Sequence, residues 1–260
     1  LYMEFSGTMD VVIGSGEIFG IRMPENFRQP FFSKSISDFW TRWHITLGAW
    51  FRDYIFYPLS MSRLLKKLTL SARKRLGNHF GPLIAGTVAL FCVWFCNGLW
   101  HGAAWNYIFF GMYHFTLILI GNIFEPVIQW IAKIIHIDRN CWPYRILQIM
   151  RTVILVNIGE LFFRANGLRA GLAMFKKMIC NFTFDSVRTQ TVFKIGMDKH
   201  DFLIVAITVF IVFIISLLKE NKVEVRCELS KRNTVIRWAV YLVMILYIVI
   251  FGAYGIGYVP

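Results

Sequence analysis

Runs of apolar residues about as long as a bilayer is thick decide what this chain can become. A helix needs roughly 20 predominantly apolar residues to cross the hydrocarbon. Four blocks meet that measure: 83–100, 104–124, 201–218 and 235–252. A fifth, 144–163, is interrupted by Arg151, Asn157 and Glu160, and should therefore turn toward protein rather than lipid. The opening stretch to Gly20 reads as one more buried helix, with Gly7, Gly14 and Gly16 permitting close packing. Backbone polar groups have no water to bond in hydrocarbon, so blocks of this length must be helices. The composition agrees: 57% hydrophobic and 17% aromatic residues leave too little polar material to cover a soluble domain. The expected fold is all-α and polytopic.

Charge orients the blocks. The net charge of +13 would suggest nucleic acid in a soluble protein. In a membrane protein, Lys and Arg collect in cytoplasmic loops and at anionic headgroups, so membrane lipid is the expected partner and nucleic acid is not. Arg63, Lys66, Lys67, Arg73, Lys74 and Arg75 precede the first block. Lys219, Lys222, Arg226, Lys231 and Arg232 separate the last two. An even number of crossings lies between these segments, so both can be cytoplasmic. The stretch 164–199, placed outside by that parity, is also basic; its Leu168, Leu172, Phe175 and Ile179 fall at helical spacing and suit a helix lying on the membrane surface. The first residue is not methionine and no basic segment leads into an early apolar run, so signal-peptide logic does not apply. The Gly/Tyr-rich 252–260 follows directly on an apolar block, and 1–260 reads as one transmembrane domain lacking residues at both ends.

Between Pro30 and Pro58 the pattern changes. Ser35 and Asp38 have capping-box spacing, and Ile36, Phe39, Trp40, Trp43, Leu47, Trp50 and Phe51 follow with helical period. Arg42, His44, Arg52 and Asp53 interrupt them. Such a segment is too polar to face lipid and too aromatic to be a solvent loop, which suits an interfacial or re-entrant helix. One stripe runs along Ile36, Phe39, Trp43, Leu47 and Trp50, and His44 sits at its edge, within reach of a central cavity.

Two histidine-centred clusters carry the chemistry. One runs from Phe39 through Trp43 and His44 to Arg52, Asp53 and Tyr54; the other is Asn97-Gly98-Leu99-Trp100-His101-Gly102 followed by Trp105. His101 falls between two spans, flanked by glycines that allow a tight break and a close approach to its ring. An ionisable group at that depth is a functional candidate, and a neutral imidazole can take a proton from a hydroxyl. The competing reading is a structural histidine bonding a carbonyl where the helix ends. His44 could be an ordinary interfacial histidine, and His114, near the middle of its span, is better read as packing between helices. There is no Gly-x-Ser-x-Gly elbow, Walker loop or His-Glu-x-x-His sequence. The spacing of His101 and His114 matches no zinc site, and five irregularly placed cysteines, Cys92 and Cys96 among them, suggest neither a metal nor a disulfide framework. No bound metal or cofactor is expected.

Pro24-Glu25-Asn26-Phe27, then SISDFWTRWHITLGAWFRDY over 35–54, then Leu99-Trp100-His101-Gly102 with Trp105 resemble the membrane-bound O-acyltransferase family. The likeness is to its bacterial branch of polysaccharide O-acetylases and D-alanyl transfer proteins. Phe5-Ser6-Gly7, Asp10, Gly14, Phe19-Gly20 and Phe162-Phe163-Arg164-Ala165 extend it over most of the chain. The resemblance implies a ring of tilted helices around a thinned centre, with His101 catalytic and His44 the second functional position. It also implies a thioester donor, acetyl-coenzyme A or an acyl carrier protein, presented from the cytoplasm. The acceptor would be an extracytoplasmic polymer or a partner protein, and the setting a bacterial plasma membrane. Trp43, Arg52, Asp53, Asn97, Trp100, Trp105 and His114 are the expected supporting residues, with Arg52 and Asp53 bracing the interfacial helix. The family's amino-terminal helices are missing from this stretch, which alone should be inactive. Arg52-Asp53-Tyr54 through Leu59 resembles the polysaccharide acetylases, Tyr113-His114 the D-alanyl proteins. A reading of another class is a transporter with intramembrane histidines, but that fold calls for paired repeat halves, and no internal repeat is present.

Overall fold

The computed structural model describes residues 2–194 and 198–252. Residues 253–260 of the Gly/Tyr-rich end, and 195–197 of the basic stretch, lie outside the described residues. The single domain expected over 1–260 meets two compact units, Leu1–Phe182 and Thr183–Pro260, each described by itself. Regular structure is helical throughout the described residues, and five helices are long and apolar enough to cross a membrane. The protein is an all-α, multi-pass membrane protein.

The first unit begins with α1 (Tyr2–Ile18). A methyl group added at Gly7 or Gly14 would meet nothing within 4 Å, so those glycines do not provide the expected close contact. Aromatic rings do: Tyr2 and Phe5 meet Phe27 edge-on at 5.7 and 5.0 Å, and Phe5 meets His44 at 4.8 Å. After a short 3-10 turn at Pro30–Phe32 come α2 (Ile36–Arg42), α3 (Ile45–Phe51), a π-helical turn (Arg52–Phe56) and α4 (Tyr57–Ser60). The continuous helix expected from the aromatic spacing is therefore broken at Trp43 and His44. Ser35 caps α2 by accepting from the Asp38 N–H at 3.1 Å, but Asp38 accepts from the Lys34 N–H and not from that of Ser35, so the box is only half closed.

Three long helices follow. α5 (Arg63–His101) has 39 residues, about 58 Å of rise, too long for one straight crossing, and it breaks at Gly77, where φ is +77°. The basic residues from Arg63 to Arg75 precede that break and the apolar block follows it, which separates the two as their composition requires. α6 (Trp105–Ile134) runs past the apolar block that ended at Phe124; Glu125 pairs with Arg139 at 2.8 Å, tying the polar end of the helix to the loop beyond it. α7 (Trp142–Arg164) buries Thr152, Val156, Gly159 and Phe162 on one face. Of its polar interruptions, Arg151 reaches the Lys34 carbonyl at 2.9 Å. Asn157 is exposed and returns its amide to the Val153 carbonyl, so it does not face protein as expected. The amphipathic α8 (Leu168–Cys180) forms where its spacing predicted, with Phe175 against Phe162 and Leu172 and Ile179 exposed.

The centre of this unit is a cluster of Ile36, Phe39, Trp43, Trp94, Ile118 and Val156, drawn from α2, the Trp43 break, α5, α6 and α7. Where lipid is as apolar as the side chains, helices associate mainly through close packing. α5 and α6 achieve it at Gly111, whose added methyl would run into the Trp94 carbonyl oxygen, and at Gly98, where it would lie 2.7 Å from the Tyr107 carbonyl oxygen. Backbone cannot yield as a flexible side chain does. Gly111→Ala should therefore lower stability by about 1–3 kcal/mol. The check is the thermal unfolding midpoint of the detergent-solubilised full-length protein; an unchanged midpoint would contradict the close contact.

The second unit contains the short α9 (Asp185–Arg188), then α10 (Lys199–Glu220), α11 (Val225–Ser230) and α12 (Thr234–Phe251). Asp198 and Asp201 close a full capping box at the start of α10, and Asn233 caps α12. Thr208 and Tyr247 join α10 to α12 through their hydroxyls at 2.7 Å. Neither helix buries a residue inside the unit, and both carry apolar side chains on all sides, as lipid-facing helices do.

Candidate active site

Leu90, Val93, Trp94, Asn97, Trp100 and His101 recur at helical spacing along α5 and form one wall of a cavity of about 510 Å³. α2, α3 and the residues between them form the facing wall, with Phe110 and Ile118 of α6 and Glu160 and Phe163 of α7 completing the enclosure. The lining is mostly aromatic and aliphatic, with a few polar groups set into it. Apolar walls of this kind bury a ligand, and sparse polar groups orient it.

His101 is the last residue of α5, and the chain turns away at Gly102, where φ is +149°, a conformation that L side chains rarely adopt. The Tyr107 ring packs against that glycine; a methyl there would lie 2.9 Å from it. The imidazole is half-buried among the rings of Trp100 (4.7 Å), Phe163 (4.8 Å), Phe110 (6.1 Å) and Tyr107 (6.2 Å). Phe163 is held there because Asn106, 4% exposed at the start of α6, donates to the carbonyls of Phe163 and Ala165 at 3.4 Å. A structural histidine at a helix end would bond a carbonyl. No such bond to the His101 ring exists among the described residues, and the ring opens onto the cavity.

His44 reaches the same cavity by a different device. The extended stretch at Asn26–Arg28 lies beside the junction of α2 and α3: Phe27 and Trp43 form an antiparallel bridge, the Arg28 N–H donates to the Arg42 carbonyl, and the Ile45 N–H donates to the Asn26 carbonyl. These bonds replace helical ones, leaving Trp43 extended and His44 left-handed at φ 47°, ψ 55°. A left-handed non-glycine costs about 1–2 kcal/mol. Strain of this kind concentrates at functional sites. Burial pushes the His44 pKa below the ordinary histidine value, favouring the neutral imidazole. Trp100 stands beside both histidines, its ring 6.0 Å from that of His44.

Of the other residues singled out from sequence, Trp43, Asn97, Trp100 and Arg52 line the cavity. Asn97 is buried, and its Oδ1 has no protein partner among the described residues. Arg52 and Asp53 pair with each other at 2.8 Å on the surface, so the expected brace to the interfacial helix is a contact between sequence neighbours. Trp105 is 77% exposed and lies off the cavity. His114 is wholly buried outside the lining, where its Nδ1 accepts from the Trp40 indole N–H at 3.2 Å and its other nitrogen faces Gly159. It packs between α2, α6 and α7, and its Nε2 is buried without a hydrogen-bond partner among the described residues.

Among the lining residues given no role from the sequence, Glu160, Phe110 and Phe163 stand nearest the chemistry. Glu160 reads in the sequence only as an interruption of its span, yet it reaches the cavity and its Oε2 is buried without a partner among the described residues. The rule that ionisable groups in spans are functional by default would have found it. Phe163, which clasps His101 together with Phe110, lies in the Phe162-Phe163-Arg164-Ala165 stretch that carries part of the resemblance, whereas Phe110 has no signal that separates it from other apolar residues of its helix.

No family model matches the chain. It is 36% identical over 163 residues to the teichoic acid D-alanyltransferase of Bacillus subtilis, covering 63% of this chain and 38% of that protein. It is 35% identical over 181 residues to the probable alginate O-acetylase AlgI of Pseudomonas aeruginosa, covering 68% of this chain and 29% of the relative. The peptidoglycan O-acetyltransferase of Helicobacter pylori is 31% identical over 179 residues, 69% of this chain and 29% of its own length. The matched segment thus spans less than two fifths of each of these relatives.

Proposed function

The chain belongs to the membrane-bound O-acyltransferase family, and on that premise we propose that the protein containing it transfers an acyl group, most simply acetyl, from a cytoplasmic thioester to a hydroxyl of an exported polysaccharide or cell-wall glycan. The observation that carries this reading is the meeting of two histidines, each at a backbone break, on the wall of one apolar cavity. His101 takes the proton of the acceptor hydroxyl as its oxygen attacks the thioester carbonyl. The tetrahedral intermediate collapses, the carbon–sulfur bond breaks, and the departing thiolate receives the proton back from the imidazolium. His44 orients the donor or relays that proton. The apolar walls exclude water, which would otherwise hydrolyse the thioester. The donor is acetyl-coenzyme A or an acyl carrier protein, no bound cofactor takes part, and an extracytoplasmic partner protein could receive the acyl group on the way to its polymer. The setting is a bacterial plasma membrane.

D-alanyl transfer to teichoic acid is the second reading, favoured by the Bacillus subtilis relative. Tyr113-His114 resembles that side in sequence, although neither residue lines the cavity. Deleting the gene and measuring acetate and D-alanine released by mild alkali from purified cell-surface glycans separates the two. Loss of acetate is expected; loss of D-alanine alone supports the second reading, and unchanged ester content of both kinds overturns acyl transfer. Uptake or export of a solute lost in the deletion strain, with ester content intact, would favour a transporter.

A further inference from the structure

Asn26 is 4% exposed, and its side-chain oxygen collects three donors. The Thr46 N–H reaches it at 3.1 Å, the Thr46 hydroxyl at 2.9 Å and His44 Nδ1 at 3.2 Å. A backbone N–H can only donate, so the shared atom is an acceptor and must be Oδ1, not the amide nitrogen. His44 Nδ1 therefore carries a hydrogen in this contact. A neutral imidazole has one N–H, which leaves the lone pair on Nε2. The same asparagine accepts the Ile45 N–H on its backbone oxygen at 3.0 Å, so it holds both the ring and the left-handed turn that presents it.

We propose that Asn26 is a positioning residue for His44: it fixes the Nδ1–H tautomer and keeps Nε2 as the free acceptor available to the cavity. The proposal deepens the acyl-transfer reading and, for its kinetic tests, rests on it. It also narrows what His44 does. In the neutral state His44 can accept a proton or a hydrogen bond from a substrate through Nε2, but it cannot donate from that atom until it has been protonated. The groups around the ring permit this assignment to be tested. Phe5 of α1 and Trp100 of α5 face it and do not titrate near neutrality. The titratable or charged groups elsewhere on the cavity wall are Arg52, His101 and Glu160, and these stay constant across the variants below.

The test uses the full-length protein in membranes. Asn26→Ala removes the acceptor, and kcat should fall about 10–100-fold, as when the orienting partner of a functional imidazole is lost. Asn26→Asp keeps an acceptor oxygen but adds negative charge beside the ring. It should retain more activity than Asn26→Ala and raise the His44 pKa, moving the acid limb of kcat/KM toward higher pH by about 1–3 units. Thr46→Val removes one donor from the same oxygen without touching the His44 contact, and its pH profile should match the wild type. An acid limb that stays in place in Asn26→Asp would show that residue 26 does not touch the titrating ring, and that result overturns the proposal. The readout independent of turnover is nitrogen-15 NMR of histidine-labelled protein, with His44 identified by the signals missing from His44→Gln. Protonated Nδ1 in the neutral wild-type ring is expected, and protonated Nε2 overturns the proposal even if no acyl transfer is ever detected. The wild-type spectrum decides even if Asn26→Ala fails to fold.

Discussion

Replacing His101 with alanine is expected to abolish acyl transfer while the protein still inserts and folds. The residue ends α5, so its side chain supports no further turn of helix, and no hydrogen bond to it is lost among the described residues. Its neighbours are the rings of Trp100, Tyr107, Phe110 and Phe163, and all of these but Tyr107 line a space already open to substrate. Truncation therefore enlarges a cavity that exists and does not open a new void in a packed core. The chemical loss is far greater. An acceptor hydroxyl is a weak nucleophile without a base, and loss of the base that also returns the proton to the leaving thiolate should cost at least ~10⁴-fold in rate, the upper end of the range for acid–base catalysis. The measurement is ester formation in membranes from wild-type and His101→Ala cells at matched protein levels, with the thermal midpoint recorded alongside. Near-normal transfer by the well-expressed variant would falsify the catalytic assignment. A collapsed midpoint would instead place His101 among the structural residues.

How far the sequence could be read depended on whether the deciding contacts were local. The five crossing helices were legible because a bilayer demands blocks of a set length, and Gly98 and Gly102 marked the break that exposes His101. The end of α6 was not, because hydropathy stops at Phe124 while the helix continues through Glu125, whose partner Arg139 lies in the following loop. The break at Trp43 and His44 was hidden for a related reason. Side-chain period follows which face is apolar and says nothing of backbone hydrogen bonds, which here are taken by Asn26 and Arg28, well upstream in the chain. On a continuous helix the aromatic period puts His44 near the cavity, but it reaches the cavity because that helix is interrupted. Trp105 followed His101 closely enough to invite a role, yet one turn of backbone past Gly102 points it outward. For His114 the mid-span position allowed both packing and a supporting role; Trp40 takes its Nδ1, and its Nε2 is buried without a partner among the described residues.

Loss of the His44 ring is expected to slow turnover severely but less completely than loss of His101. The left-handed turn, the Asn26 contact and the burial that keeps the imidazole neutral all serve to present one ring nitrogen, which is more organisation than an incidental interfacial histidine requires. His44→Ala should reduce kcat by ~10²–10⁴-fold, the range for a single supporting catalytic interaction. The backbone itself should hold, because Ile45 and Thr46 remain bonded to Asn26 after the ring is gone. Glutamine at this position separates two roles. Its amide can keep a hydrogen bond to a substrate but cannot carry a proton through the catalytic cycle. Substantial recovery in His44→Gln would mean that the ring positions donor or acceptor. Equal failure of both variants, in proteins with wild-type thermal midpoints, would mean that His44 moves the proton. Transfer at the wild-type rate in His44→Ala would remove His44 from the mechanism and leave His101 as the only histidine acting on the reacting groups.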